Sequence, residues 1–116
     1  MRDLESLRKA LAEFAQARNW DQYHSPKNLV MALSVEVAEL LEHFQWLGEE
    51  EARHLDAETL AKVADEIADV QIYLVRIADK LEIDILEAAE KKLVKNAEKY
   101  PAGKAHGSAR KYTQLE

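Results

Sequence analysis

The sequence predicts an all-α fold, a four-helix antiparallel bundle that oligomerises through its helix faces. The 116 residues include only three Gly and two Pro, so few tight turns are available for a many-stranded sheet. Apolar residues recur at steps of three and four along most of the chain, as they do on amphipathic helices. The length and the hydrophobic fraction of 47% suit one globular domain over residues 1–116, with a basic tail over 103–116.

The first two predicted helices cover about residues 2–18 and 25–47. The second begins at Ser25 and Pro26, because Ser caps free N–H groups and Pro suits the first helical position. A polar and aromatic connector, residues 19–24, joins the two. Their apolar stripes are Leu4, Leu7, Leu11 and Phe14 on the first helix, and Leu29, Leu33, Val37, Leu40 and Phe44 on the second.

The last two predicted helices cover about residues 57–81 and 84–100. Asp84, with Glu87 three residues later, resembles a capping box and starts the last helix. The third helix carries the longest apolar stripe, made of Leu60, Val63, Ile67, Val70, Leu74, Ile77 and Leu81. Such a stripe normally packs on another helix. The stripes are long for so small a domain, so we expect a homo-oligomer.

Charge and composition exclude several classes of protein. Residues 1–90 hold 9 basic and 20 acidic residues, whereas residues 91–116 hold 7 basic and 2 acidic ones. This acidic body argues against a nucleic-acid partner, and no apolar run is long enough to span a membrane. There is no cysteine and hence no disulfide framework. We therefore expect a cytoplasmic protein. The charge asymmetry fits either a solvated surface or acids that bind divalent cations beside a tail that meets phosphates.

Two pairs of acids border the apolar stripes of the second and third helices. Glu36 and Glu39 are three residues apart, and Glu66 and Asp69 repeat that spacing, so each pair shares one helix surface. If the stripes face each other, four carboxylates converge and need a cation to offset their repulsion. Oxygen ligands suit Mg²⁺, with Mn²⁺ as a possible substitute, and such a site binds phosphates. The alternative is that these pairs simply face water.

The same offsets extend beyond the acids. His43 and Trp46 follow the first pair at the offsets at which Tyr73 and Arg76 follow the second. Trp46 and Tyr73 can therefore be core residues or part of a site. Trp20 lies in a polar connector, which favours stacking on a base. We expect His43 to face water.

Three groups of residues resemble the all-α nucleoside triphosphate pyrophosphohydrolases, the MazG-like superfamily, and within it the dCTP pyrophosphatase branch. The acid motifs are residues 36–40, 44–46 and 65–70, and the other two groups are the connector and helix start, residues 20–29, and the tail, residues 100–101 and 107–113. The resemblance implies helical bundles that pair into dimers or dimers of dimers. Val35 stands where the broader superfamily often has a further Glu, and the dCTP branch is similar in lacking it.

The resemblance also implies roles for single residues. The Mg²⁺-binding acids match Glu36, Glu39, Glu66 and Asp69. The residues that match substrate contacts are Trp20, His24, Trp46, Tyr73, Lys92 and Asn96. Lys92 is otherwise an ordinary surface charge, and Arg110 and Lys111 of the tail either close over the phosphates or stay free.

The expected activity is Mg²⁺-dependent hydrolysis of a nucleoside triphosphate between its α- and β-phosphates, giving a monophosphate and pyrophosphate. Either Glu36 or Glu39 would be catalytic, accepting the proton of the attacking water. The resemblance implies dCTP or a modified dCTP as substrate and a house-cleaning role in the nucleotide pool. The alternatives are a broad-specificity MazG-like hydrolase and a non-catalytic helical interaction protein.

Overall fold

The computed structural model describes residues 1–111 and 113, and the described chain is all-helical, as predicted. Its helices are α1 (Leu4–Ala17), α2 (Pro26–Glu42), α3 (Glu49–Arg53), α4 (Ala57–Lys80), α5 (Ile85–Lys99) and α6 (Ala102–Ala105), with a 3₁₀ turn at Asp21–Tyr23. No strand occurs within the described residues. None of the helices in the described part of the chain combines the length and the apolar character needed to cross a membrane.

Side-chain caps fix where the long helices begin. The residues before α1, α2, α4 and α5 each accept a hydrogen bond from the backbone N–H three positions on, and they are Asp3, Ser25, Asp56 and Asp84. Each cap satisfies one of the N–H groups that a helix start leaves without a partner. The starts at Ser25 and Asp84 are those predicted from the sequence.

The end of α1 fixes the course of the connector that follows it. Asn19 adopts a left-handed conformation, with φ 53°. The N–H of Trp20 donates to the carbonyl of Ala15 at 2.9 Å, and that of Asn19 to the carbonyl of Gln16 at 3.1 Å. This double hydrogen bond is a Schellman motif, and it holds the Trp20 backbone against the last turn of α1.

Helix α2 ends earlier than the sequence predicts. It stops at Glu42, and residues 43–46 form turns instead of further helix. The N–H groups of His43 and Phe44 donate to carbonyls three residues back, at 3.3 and 2.9 Å, which tightens the chain at this point. A second difference lies in the tail, where α6 forms a short helix that no apolar periodicity predicts.

Helix α2 runs antiparallel to α4. Its N-terminal flank places His24 beside Arg76, and its C-terminal end places His43 beside Glu66. Helix α1 packs on the C-terminal half of α4, where Arg8 reaches Asp79. The buried apolar residues are Ala15, Leu29, Val63, Val75 and Ala78.

The predicted stripes are only partly buried. On α4, Val63 is in the core, whereas Leu60, Ile67 and Leu74 are 56%, 53% and 43% exposed. Toward the C-terminal end of α4, the buried residues are instead Val75, Arg76 and Ala78, in the half of the helix where Asp79 binds Arg8 of α1.

The described chain divides into two compact units, one formed by residues 1–83 and the other by the described residues from 84 onward. The first contains α1 to α4, and the second contains α5 and α6. The complete four-helix bundle and the single domain over residues 1–116 stay predictions, whereas the antiparallel pair of α2 and α4 belongs to the first unit.

Candidate functional site

Acids from α2 and α4 meet at the antiparallel contact. Glu36, Glu39 and Glu66 each offer a carboxylate oxygen, and these three oxygens all lie within 4.8 Å of one another. The three side chains are half-buried. Asp69 lies one turn beyond Glu66 on α4 and borders the same cavity as Glu36. The structure thus brings three of the four predicted acids into one cluster, with the fourth beside it.

The acid cluster is electrostatically unsatisfied. The Oε2 atoms of Glu36 and Glu66 are enclosed and have no hydrogen-bond partner among the described residues. Burial, a hydrogen bond with Glu39 and the neighbouring negative charges raise the pKa of Glu36 to about 7. Burial and Glu39 likewise raise the pKa of Glu66. Buried oxygens that lack donors and repel each other are the environment that a divalent cation would stabilise.

His43 belongs to the surroundings of this cluster, so the expectation that it faces water is wrong. Its Nε2 lies 3.6 Å from Oε1 of Glu66, and its side chain is 23% exposed. His43 follows Glu36 by seven residues, about two helical turns, so it lies at the C-cap of α2 on the side that carries Glu36. The attraction of His43 opposes the rise in the pKa of Glu66.

A cavity of about 310 Å³ adjoins the acids. Its walls come from α1, the connector, α2 and α4, and are formed by Leu11, Phe14, Ala15, Trp20, His24, Glu36, Asp69, Ile72, Tyr73 and Arg76. Three of the predicted substrate residues, Trp20, His24 and Tyr73, therefore share a cavity with two of the predicted metal ligands. This volume lies at the lower end of the range for small-molecule sites.

The aromatic part of the cavity is held by ring contacts. The Trp20 ring lies edge-on to Phe14, with centroids 5.7 Å apart, and 6.4 Å from the His24 ring. The guanidinium of Arg18 also lies over the Phe14 ring, with its Cζ atom 3.5 Å from the ring centroid. Burial and the nearby acids raise the pKa of Tyr73, so its hydroxyl stays protonated near neutral pH.

The other three predicted substrate residues are Trp46 in the first unit and Lys92 and Asn96 in the second. Trp46 is 87% exposed and is not part of the cavity wall, because the turn over residues 43–46 breaks the helical register that would have continued from Glu39. Lys92 and Asn96 lie four residues apart on α5 in the second unit, hence on the same side of that helix. The roles of all three stay predictions. Of the tail residues, Tyr112 lies outside the described residues.

The sequence did not reveal a chain of alternating charges behind the cavity. Arg76 is buried and pairs with Asp21 and Asp79, at 3.0 and 3.5 Å. Asp79 also binds Arg8 at 3.2 Å, and Asp21 also binds Lys80. Partners 55 and 71 residues apart leave no periodic signal, although the position of Arg76 in the offset pattern pointed to this face of α4.

Comparisons with known proteins agree with the geometry. The model of the MazG-like family matches residues 31–115. The chain is 43% identical to dCTP pyrophosphatase 1 of Homo sapiens, over 97% of this chain and 67% of that protein, and 41% identical to the Mus musculus protein over the same shares. The fold is similar to the crystal structure of a pyrophosphatase from Archaeoglobus fulgidus, with a TM-score of 0.79, 46% identity, and coverage of 84% of this chain and 91% of that one.

Proposed function

This chain belongs to the MazG-like family, and we propose that it is a nucleoside triphosphate diphosphatase that converts dCTP or a modified dCTP into the monophosphate and pyrophosphate. The observation that carries the proposal is the cluster of Glu36, Glu39 and Glu66 beside a cavity walled by aromatic side chains. Relatives from human and mouse that match nearly the whole chain are dCTP pyrophosphatases. In this house-cleaning role, the enzyme would remove an unwanted deoxynucleotide from the cellular pool.

The residues present fit a divalent cation. The enclosed Oε2 atoms of Glu36 and Glu66 lack donors, and carboxylate oxygens are the ligands that Mg²⁺ prefers, with Mn²⁺ as a substitute. We assign Glu36, Glu39, Glu66 and Asp69 as its ligands. When bound, the ion would neutralise charge on the phosphate oxygens.

The protein groups then divide the remaining work. A carboxylate of Glu36 or Glu39 accepts the proton of the water whose oxygen attacks phosphorus, and the P–O bond that links the α- and β-phosphates breaks. The reaction needs no covalent intermediate, because a carboxylate base and an oriented water suffice. Tyr73 keeps its phenolic proton, so its hydroxyl can donate a hydrogen bond to the nucleotide. The reaction therefore needs positioning and charge stabilisation more than nucleophilic chemistry.

The base is placed on the aromatic side of the cavity. The Trp20 face stacks on it, since aromatic faces bind any base without demanding a fixed hydrogen-bond pattern. His24 and Tyr73 supply polar contacts, and we assign Trp46, Lys92 and Asn96 as further substrate contacts. The cavity is apolar at Phe14 and acidic at Glu36, which suits a molecule with a base at one end and cation-bound phosphates at the other.

We also propose a homo-oligomer, a dimer or a dimer of dimers. Large apolar side chains of α2 and α4 remain half-exposed or more, among them Val30, Met31, Leu41, Leu60 and Ile67. Apolar surface of this kind on helices is typical of a face that packs on another copy. Sedimentation equilibrium tests it, and a monomer at micromolar concentration would refute it. The cytoplasmic location stays a prediction.

The decisive experiment measures pyrophosphate and monophosphate release from a panel of dCTP, 5-methyl-dCTP, dTTP, dATP and CTP, with Mg²⁺ and with EDTA. We expect Mg²⁺-dependent release that is strongest for the deoxycytidine nucleotides. Equal turnover of all five would establish a broad-specificity hydrolase instead, and no release from any of them would refute the proposal. Release of orthophosphate in place of pyrophosphate would refute the position of cleavage.

A further inference from the structure

Arg76 is a buried cation that the proposed reaction does not use. Its side chain is 5% exposed, yet it lines the cavity together with His24. Its Nη2 donates to Oδ1 of Asp21 at 3.0 Å and its Nη1 to Oδ2 of Asp79 at 3.5 Å. The Nε–Nη2 edge of the guanidinium also meets Nδ1 of His24, at 3.4 Å from Nε and 3.2 Å from Nη2. A buried guanidinium is costly unless its donors are paired, and Nδ1 of His24 is one of the acceptors that pair them.

The contact determines where His24 carries its proton. A guanidinium has five N–H donors and no acceptor, whereas a neutral imidazole has one nitrogen of each kind. Because Arg76 can only donate, Nδ1 must accept, and the proton must sit on Nε2. A protonated ring would turn an N–H toward the guanidinium, which repels it both sterically and electrostatically.

We propose that Arg76 is a positioning residue that holds His24 as the neutral tautomer protonated at Nε2, so that His24 offers the bound nucleotide one fixed N–H donor. This inference deepens the proposed function and rests on it for the identity of the ligand. A neutral donor recognises an acceptor such as a carbonyl of the base or an oxygen of the sugar. The neutral donor persists to a lower pH than that of a free imidazole, whose pKa is about 6.5.

The charges around His24 support the neutral form. Burial lowers its pKa first, followed by Arg76 and Lys80 of α4, while Asp21 of the connector opposes them. Asp21 is 60% exposed and is already engaged by both cations. The balance therefore favours the unprotonated ring.

The other titratable groups of the cavity do not reverse this balance. Glu36 and Asp69 line the same cavity but are not among the charges that shift the pKa of His24. Tyr73, which also lines it, is uncharged near neutral pH because its pKa is raised. Trp20 contributes only an uncharged ring, tilted by 57° against the imidazole. The control of His24 thus lies with Arg76 and its partners.

The first test is made on the metal-free protein without nucleotide. ¹⁵N NMR of histidine-labelled protein shows which ring nitrogen carries the proton, with His24→Gln assigning the signal and His54 serving as an exposed internal control. We expect a single tautomer protonated at Nε2 and a pKa below about 6.5. In Arg76→Met the pKa should rise toward that value and the ring should become a mixture of tautomers. A proton on Nδ1 in the wild type overturns the proposal.

Arg76→Met leaves Asp21 with Lys80 and Asp79 with Arg8, so we expect it to fold. Should it fail to fold, the wild-type spectrum still tests the proposal, because a proton on Nδ1 overturns it. An unchanged titration of His24 in a folded Arg76→Met overturns the proposal.

The second test measures steady-state kinetics with the best nucleotide between pH 6 and 8. We expect Arg76→Met to raise KM three- to tenfold with kcat changed less than twofold, and we expect the ratio of its KM to the wild-type KM to change with pH. The His24→Gln variant keeps an N–H near the position of Nε2, so adding Arg76→Met to it should not raise KM further. An equal rise in both backgrounds would show that Arg76 acts only on the structure and would overturn the proposal.

The two tests separate the two proposals. If no nucleotide is hydrolysed, the proposed function fails, while the NMR result still shows whether Arg76 fixes the tautomer. If hydrolysis is normal but His24 titrates freely in the wild type, only the positioning role fails.

Discussion

Replacing Glu36 by Gln should stabilise the metal-free protein while abolishing its activity. In the wild type the Oε2 of Glu36 is enclosed without a partner, and burial, Glu39 and the neighbouring acids raise the pKa of Glu36 to about 7. Gln has nearly the same shape and no charge, and its amide can donate to the Glu39 carboxylate. The variant therefore loses a cation ligand but also loses the repulsion.

The magnitude follows from the shift. The pKa rises from an ordinary 4.5 to about 7, and one pKa unit corresponds to about 1.4 kcal/mol. The free energy of unfolding can therefore gain at most roughly 3 kcal/mol when the charge is removed. Glu36 is only half-buried, and solvent screens part of this cost. We therefore expect a gain of about 1–2 kcal/mol in the free energy of unfolding, or roughly 3–10 °C in Tm.

The pH dependence has a definite sign. A carboxyl whose pKa is raised by folding binds its proton more tightly in the folded state. Its contribution to stability is fully present below pH 4.5 and is lost as the pH rises through about 7. The advantage of Glu36→Gln should therefore be largest at pH 8 and less than half as large at pH 5.

Urea unfolding followed by circular dichroism, in EDTA at pH 5 and pH 8, measures the effect. Glu42→Gln is the matched control, because Glu42 is an exposed acid at the end of the same helix, and it should change stability by only a few tenths of a kcal/mol. A lower stability of Glu36→Gln than of the wild type at pH 8 would refute the reasoning, as would an equal gain in Glu42→Gln.

Three further changes test the site and the core. Asp69→Asn should abolish Mg²⁺-dependent pyrophosphate release because it removes a charged ligand, whereas Asp65→Asn, an exposed acid on the same helix, should keep full activity; similar losses in both would contradict the assignment. Trp46→Ala should raise KM with kcat largely kept in steady-state kinetics, and a fall in kcat alone would argue against a role in nucleotide binding. Leu29→Ala, at a side chain 2% exposed, should cost about 2–4 kcal/mol in urea unfolding, and a loss below about 1 kcal/mol would show that this position is not part of the packed core.

Local signals predicted most of the helices. The caps Ser25 and Asp84 act within three residues, so the sequence alone places the starts of α2 and α5 correctly. The end of α2 was predicted too late, because the apolar stripe continues through Phe44 although the backbone has already tightened into turns at His43. Periodicity reports a face but not the residue at which the hydrogen bonding changes.

The convergence of the acids could be predicted from their positions beside the apolar stripes, whereas the contacts that other side chains make around them could not. Glu36 and Glu66 adjoin apolar stripes, so pairing the stripes brings them together. The contact of His43 with Glu66 depends on the alignment of two helices, and the ion pair of Arg76 with Asp21 joins residues 55 positions apart. Such pairs are decided by tertiary packing, which a single sequence does not display.

The left-handed turn at Asn19 has a consequence for how tightly a ligand can be held. Because the Trp20 amide is locked to the carbonyl of Ala15 and its ring rests on Phe14, this wall of the cavity is already ordered before anything enters. A flexible loop would surrender conformational entropy on association, at a cost of roughly 0.5–1.5 kcal/mol for each side chain immobilised. A wall formed at a helix terminus avoids that loss, so contact of a ligand with the indole of Trp20 stabilises the complex with little opposing entropic cost.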